Sequence, residues 1–136
     1  MSEYMQCETE ISDLDVLKEA LADLGIGADQ IENHSQGINL KGYHSSVKAN
    51  IVIRAKHAQC GHDVGFEKGA DGKLKALIYD YDRTGLAGKI RNGRLMQCYA
   101  KRMTLKTIQS AYRRSKIKEM QETADGKIKI RLRLNS

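Results

Sequence analysis

Residues 63–82 read DVGFEKGADGKLKALIYDYD, and this stretch decides the fold. Asp63–Glu67 has the composition of a strand. Gly69-Ala70-Asp71-Gly72 follows, and its Asp-Gly pair is a strong hairpin signal. Lys73–Asp82 returns as a second strand, with Leu74, Ala76 and Ile78 on one face. Upstream, Val47–Arg54 repeats the pattern. Val47, Ala49, Ile51 and Ile53 share a face, and Val52 implies that the other face is partly covered. A short strand is expected at Ile38–Tyr43, after a Gly-, Asn- and Ser-containing loop at 25–38.

The first strand is expected at Tyr4–Ile11, where Met5, Cys7, Thr9 and Ile11 alternate with polar neighbours. A helix over about residues 13–24 follows. Ser12 is its expected N-cap, Leu14, Leu17, Leu21 and Leu24 form its apolar stripe, and Gly25 closes it. Residues 83–93 hold Gly85, Gly88 and Gly93 and read as loop or irregular helix. Arg94–Ser115 reads as a long helix with a broken stripe. Leu95, Met96, Tyr99, Ala100 and Met103 lie on one side, and Leu105, Ile108, Ala111 and Tyr112 nearly opposite. That phase change near Thr104 implies a kink, two helices or burial on two faces. Asp125-Gly126 then joins Ile117–Glu122 to Lys127–Leu134 as a closing hairpin. The element order does not alternate regularly. It predicts an α+β fold: one compact domain over 1–136, with an antiparallel-rich sheet of about six or seven strands and two main helices on one face.

The chain has 136 residues, 40% hydrophobic and 29% charged, which excludes a disordered chain or a disulfide miniprotein. No apolar run approaches the ~20 residues of a membrane span, so no membrane role is expected. The N-terminus lacks the basic and apolar regions of a secretory signal. With three cysteines, Cys7, Cys60 and Cys98, reduced thiols and a cytoplasmic setting are expected.

Charge is distributed unevenly. Residues 1–82 carry 8 basic and 14 acidic side chains, whereas 83–118 carry 11 basic and none acidic. This asymmetry is the footprint of a polyanion binder, set against a merely solvated basic face. The expected contacts are Arg91, Arg94, Lys101, Arg102, Arg113 and Arg114, with Arg131 and Arg133 on the terminal strand. Tyr99 and Tyr112 interleave with these cations. Base stacking is open to both, although core packing is the favoured role. The expected function is a non-enzymatic binding protein contacting nucleic acid or another polyanion. The alternative is an accessory or assembly factor docking on an acidic protein surface.

Other chemistry is weaker. His57, Cys60 and His62 form an H-x2-C-x-H cluster beside Asp63, but structural zinc needs four ligands and no second pair follows. Neither Cys60 nor Cys98 has a sequence-defined histidine partner. Asp80 and Asp82 flank Tyr81 without a third metal ligand. Gly85–Lys89 lacks the spacing of a nucleotide-hydrolysing phosphate loop. No catalytic residue, metal or cofactor is therefore expected.

Several short segments resemble, in order, the hypothetical chloroplast reading frame thirty-five family of plastid, cyanobacterial, bacterial and phage proteins. They are Ile11–Leu21, Gly42-Tyr43, Ala49–Ile53, Asp63-Val64-Gly65-Phe66, Asp71-Gly72, Gln97-Cys98-Tyr99-Ala100 and Asp125-Gly126. The resemblance covers most of the chain and implies one compact α+β domain in a non-secreted setting: cytoplasm, plastid stroma or phage-infected host cytoplasm. It implies no established activity and no catalytic residues. The His/Cys cluster and the strength of the basic segment depart from that family's pattern.

Overall fold

A computed structural model of the chain describes residues 4–41, 47–115, 117–122 and 128–132, with side chains described as far as Tyr112. Five strands form one antiparallel sheet: β1 (Tyr4–Glu8), β2 (Glu32–Asn39), β3 (Lys48–Ile53), β4 (Val64–Lys68) and β5 (Leu74–Tyr79), in the order β1-β5-β4-β3-β2. The 63–82 hairpin forms as expected. Gly69 N–H donates to the Lys73 carbonyl at 2.9 Å, and Asp71 Oδ1 accepts from Lys73 N–H at 3.0 Å. The expectation of six or seven strands in one sheet is corrected. β6 (Ile117–Glu122) and β7 (Ile128–Leu132) pair with each other as a separate two-stranded sheet.

Four helices, not two, accompany the sheet: α1 (Leu14–Asp23), α2 (Ala55–Ala58), α3 (Gly85–Arg91) and α4 (Arg94–Ser115). Asp13, rather than Ser12, caps α1, its Oδ1 accepting from Val16 N–H at 3.2 Å. The far end closes as a Schellman motif: Ile26 N–H reaches the Leu21 carbonyl at 2.9 Å and Gly25 N–H the Ala22 carbonyl at 3.0 Å. The strand expected at 38–43 begins earlier, at Glu32, and its pairing with β3 shifts register between Asn33 and Ile38. Tyr43, Lys116, Arg133 and residues 123–127, where a hairpin turn is expected, lie outside the described residues.

Strand register sets the two faces of the sheet. Ile51, Phe66, Ala76 and Cys7 pair in a row across β3, β4, β5 and β1. That row belongs to the main core with Val16, Leu17 and Leu21 of α1, Ala58 of α2, Leu86 of α3, and Leu95 and Tyr99 of α4. The adjacent row, Val52, Gly65 and Leu77, faces the other way. Leu40, Ala49, Val52 and Leu77 make a second, smaller core there. Leu40 packs directly onto Gly65, where a Cβ would stand 2.6 Å from Ala49 Cβ and 2.9 Å from Leu40 Cδ2. Only glycine admits that approach.

α4 runs as one helix over Arg94–Ser115, as expected, so two helices are not the source of the phase change near Thr104. Leu95, Cys98 and Tyr99 are buried, Leu105 and Ile108 are half-buried, and Tyr112 is exposed. The phase change thus separates a buried first half from a second half that is largely open. Thr104, Thr107 and Ser110 donate their hydroxyls to the carbonyls four residues back.

Candidate functional site

The expected cations do not share one face. Arg91 is turned toward backbone: Nε donates to the Asp82 carbonyl at 2.7 Å, and Nη2 to the Asp80 and Tyr79 carbonyls at 2.7 and 3.3 Å. It fastens the β5–α3 connection. Arg102 grips Asp23 of α1 with two nitrogens, Nε to Oδ2 at 2.8 Å. Lys106 pairs with Asp13 at the start of α1. These cations hold the Asp23 and Asp13 carboxyls below the usual range. Lys101 and Arg94 add to the positive field at Asp23. Arg94 is exposed, with Nη1 3.5 Å from Gln97 Oε1. Arg113 and Arg114 stand in the last turn of α4 and Arg131 on β7, with side chains outside the described residues; Arg133 is outside altogether.

Sequence spacing explains this division. Arg102 and Lys106 are four residues apart and project together toward α1. Arg94 and Lys101 are seven apart and lie two turns along another side. A groove of about 440 Å3 runs between α1 and α4, lined by Asp15, Val16, Glu19, Arg102, Leu105, Lys106 and Gln109. Tyr99 is not a base platform. It is 5% exposed, and its hydroxyl accepts from the Ser12 and Asp13 N–H groups at 3.1 Å each.

A second polar centre lies at one end of the sheet, where β3 stops and the central strand β4 begins. Asp63 is 3% exposed. Its Oδ2 accepts from Arg54 Nη1 and Lys41 N–H, and its Oδ1 from Ala55 N–H, all at 2.9 Å. The Tyr4 hydroxyl bridges the Asp63 and Lys41 carbonyls at 2.9 and 3.1 Å. Burial, with Asp63 and Asp82 nearby, pushes the Tyr4 phenol up, so it stays a donor. Arg54 also binds Glu32 through two nitrogens, at 2.7 and 2.9 Å, and Glu32 Oε1 meets His34 Nε2 at 2.8 Å. No buried polar side-chain atom lacks a partner among the described residues. The geometry fits a structural clamp.

Arg54 first, and then His34, pull the Glu32 carboxyl down to about 2 from an ordinary 4.5. A depressed folded-state value stabilises above the unfolded value and loses that effect as pH falls through the folded one. Wild type is therefore expected to lose melting temperature between about pH 5 and pH 2 faster than Glu32→Gln, the two curves converging near pH 2. The effect is modest, because Glu32 is about a third exposed. Parallel melting curves across that range would exclude the coupling.

The His57, Cys60 and His62 cluster does not assemble. No three His, Cys, Asp or Glu side chains are placed to hold a metal ion among the described residues. His62 stacks on Tyr79 at 3.6 Å between ring centres, and its backbone N–H donates to Asp82 Oδ2 at 3.0 Å. Burial pushes the Cys60 thiol up, and its Sγ donates to the Ala58 carbonyl at 3.3 Å. Cys98 is buried in the core. Asp80 and Asp82 do not act as a carboxylate pair toward Arg83 and Arg91, which instead take the carbonyls of the same turn.

Two features escaped the sequence reading. Tyr81 is 70% exposed, because β5 ends at Tyr79 and the ring falls in the turn. Its alternation with Leu77 and Tyr79 looked like continued strand. The acidic face of α1 opposite α4 was also missed, since Asp23–Arg102 and Asp13–Lys106 are 79 and 93 residues apart.

No helix among the described residues is long and apolar enough to cross a membrane. No curated protein and no solved structure matches the chain. A family model does, over residues 20–131, which takes in β2 to β5, α2 to α4 and most of β6 and β7. The chain belongs to the family described as a protein of unknown function, DUF1257.

Proposed function

We propose that the protein is a non-enzymatic binding module that holds nucleic acid, or a polyanion of like charge density, along α3 and α4. The observation that carries this reading is the charge of those helices: two cations in α3 and six in α4, with no Asp or Glu in either. Ion pairs with α1 engage Arg102 and Lys106, so these two are assigned to the fold, as is Arg91. The proposed contact set is Arg94, Arg113 and Arg114, with Arg131 and Arg133 beyond. In its plastid-type resemblance the chain fits a non-secreted binding protein of the cytoplasm or an equivalent compartment.

Binding is tested by fluorescence anisotropy with labelled 12-mer single strand and 12-bp duplex at about 50 and 200 mM salt. Each neutralised phosphate contributes about 0.7 to the salt slope on a single strand and about 0.9 on a duplex. Arg94→Glu combined with Arg113→Glu and Arg114→Glu is expected to cut the single-strand slope by at least about 2 and the affinity at low salt by tenfold or more. An unchanged slope defeats the assignment. Absence of binding at low salt defeats the reading and favours a protein partner instead.

A further inference from the structure

We infer that Tyr81 and Tyr112 are stacking platforms for unpaired bases, which makes the ligand of the proposed surface single-stranded nucleic acid. This rests on the nucleic-acid reading above and names its substrate class. Tyr81 and Tyr112, 70% and 47% exposed, are the exposed large hydrophobic side chains among the described residues. The other described aromatic rings are engaged. Phe66 is buried in the core, Tyr99 is tied to the start of α1, and Tyr4 meets Tyr79 edge-on at 5.5 Å while Tyr79 stacks on His62.

One open ring stands just before the acid-free segment and the other lies within it. Tyr81 stands two residues before its first cation, Arg83, and Tyr112 immediately precedes Arg113 and Arg114. The turn that carries Tyr81 also holds Arg83, whose Nη1 donates to the Asp80 carbonyl at 2.6 Å. Arg91 Nη2 reaches the same carbonyl at 2.7 Å but belongs to the fold. The Asp82 carboxylate, which would repel a phosphate, is drawn inward to the His62 N–H and is only 10% exposed. An exposed aromatic ring beside guanidinium groups is the pairing that single-strand binders use, with the ring taking a base face and the cation the backbone. A duplex hides those base faces inside its stack, so the rings give it nothing.

The test uses the full chain and the same labelled probes, with Tyr81→Leu, Tyr112→Leu, the corresponding Phe variants, and Arg94→Glu. Leucine keeps bulk but removes the π-face, and thermal melts matched to wild type verify the fold. The expected result is single strand bound tenfold or more tighter than duplex. Each leucine variant should lose about tenfold to hundredfold on the single strand, with an unchanged salt slope, and each phenylalanine variant should bind as wild type. Leucine variants that match wild type while Arg94→Glu is impaired would overturn the stacking and leave the polyanion surface standing. Tighter binding of duplex would do the same. Wild-type protein that binds neither probe at 50 mM salt would overturn both.

Discussion

Gly85→Ala is expected to cost about 3 kcal/mol or more, a large share of the 5–15 kcal/mol that holds a domain together. Gly85 opens α3 at φ +55, where an L side chain is already strained. A methyl group there would also stand 2.2 Å from the Ala58 carbonyl oxygen and 2.3 Å from that of Gln59. Those oxygens belong to the end of α2, where Gln59 itself takes a left-handed turn at φ 57. Neither can yield as a side-chain tip would, so the α2–α3 contact must open. Gly93→Ala is the control. It shares a positive φ of 82 but has nothing within 4 Å of the added carbon, so only about 1 kcal/mol of backbone strain is expected. Urea unfolding of both variants decides the matter. Equal midpoints would mean that the contact is not close.

Asp63→Ala is expected to cost about 3–5 kcal/mol, the usual effect of removing one partner from a buried ion pair. Its loss strands the Arg54 guanidinium and the Lys41 and Ala55 N–H groups at once. Arg54→Leu in the same chain removes the uncompensated charge, so the double variant should be less destabilised than the sum of the two singles. Additive losses in a denaturation cycle would show that Arg54 and Asp63 are not coupled.

Elements whose signals are local were legible in the sequence. The 63–82 hairpin carries its own alternation and its own turn chemistry, and α1 its own stripe and closing glycine. β2 was not legible. Its sequence, ENHSQGIN, has no apolar alternation, and it is a strand because β3 offers it a partner. α3 was obscured by Gly85 and Gly88, and it stands through the burial of Leu86 and Ala87 and the hold of Arg91 on the preceding turn. Nothing in the sequence of β6 and β7 shows that they pair apart from the main sheet. The candidate surface was half legible in the same way. Its cations can be counted along the chain, but which of them α1 takes up depends on helix packing.

The Asp63 clamp has a further consequence, for the order of folding. Its carboxylate bonds join positions only 8 and 9 residues apart at Ala55 and Arg54 and 22 apart at Lys41, whereas the bond from the Tyr4 hydroxyl, 59 residues away, goes to the Asp63 backbone carbonyl. Closing that longest loop requires β1, β5 and β4 already to be neighbours. The Tyr4 bond is therefore expected to form late. Stability lost in Tyr4→Phe should appear mainly as faster unfolding, with the refolding rate nearly untouched. The Tyr4 hydroxyl then acts as a latch on the finished sheet: it lengthens the life of the folded state without helping the chain to find it.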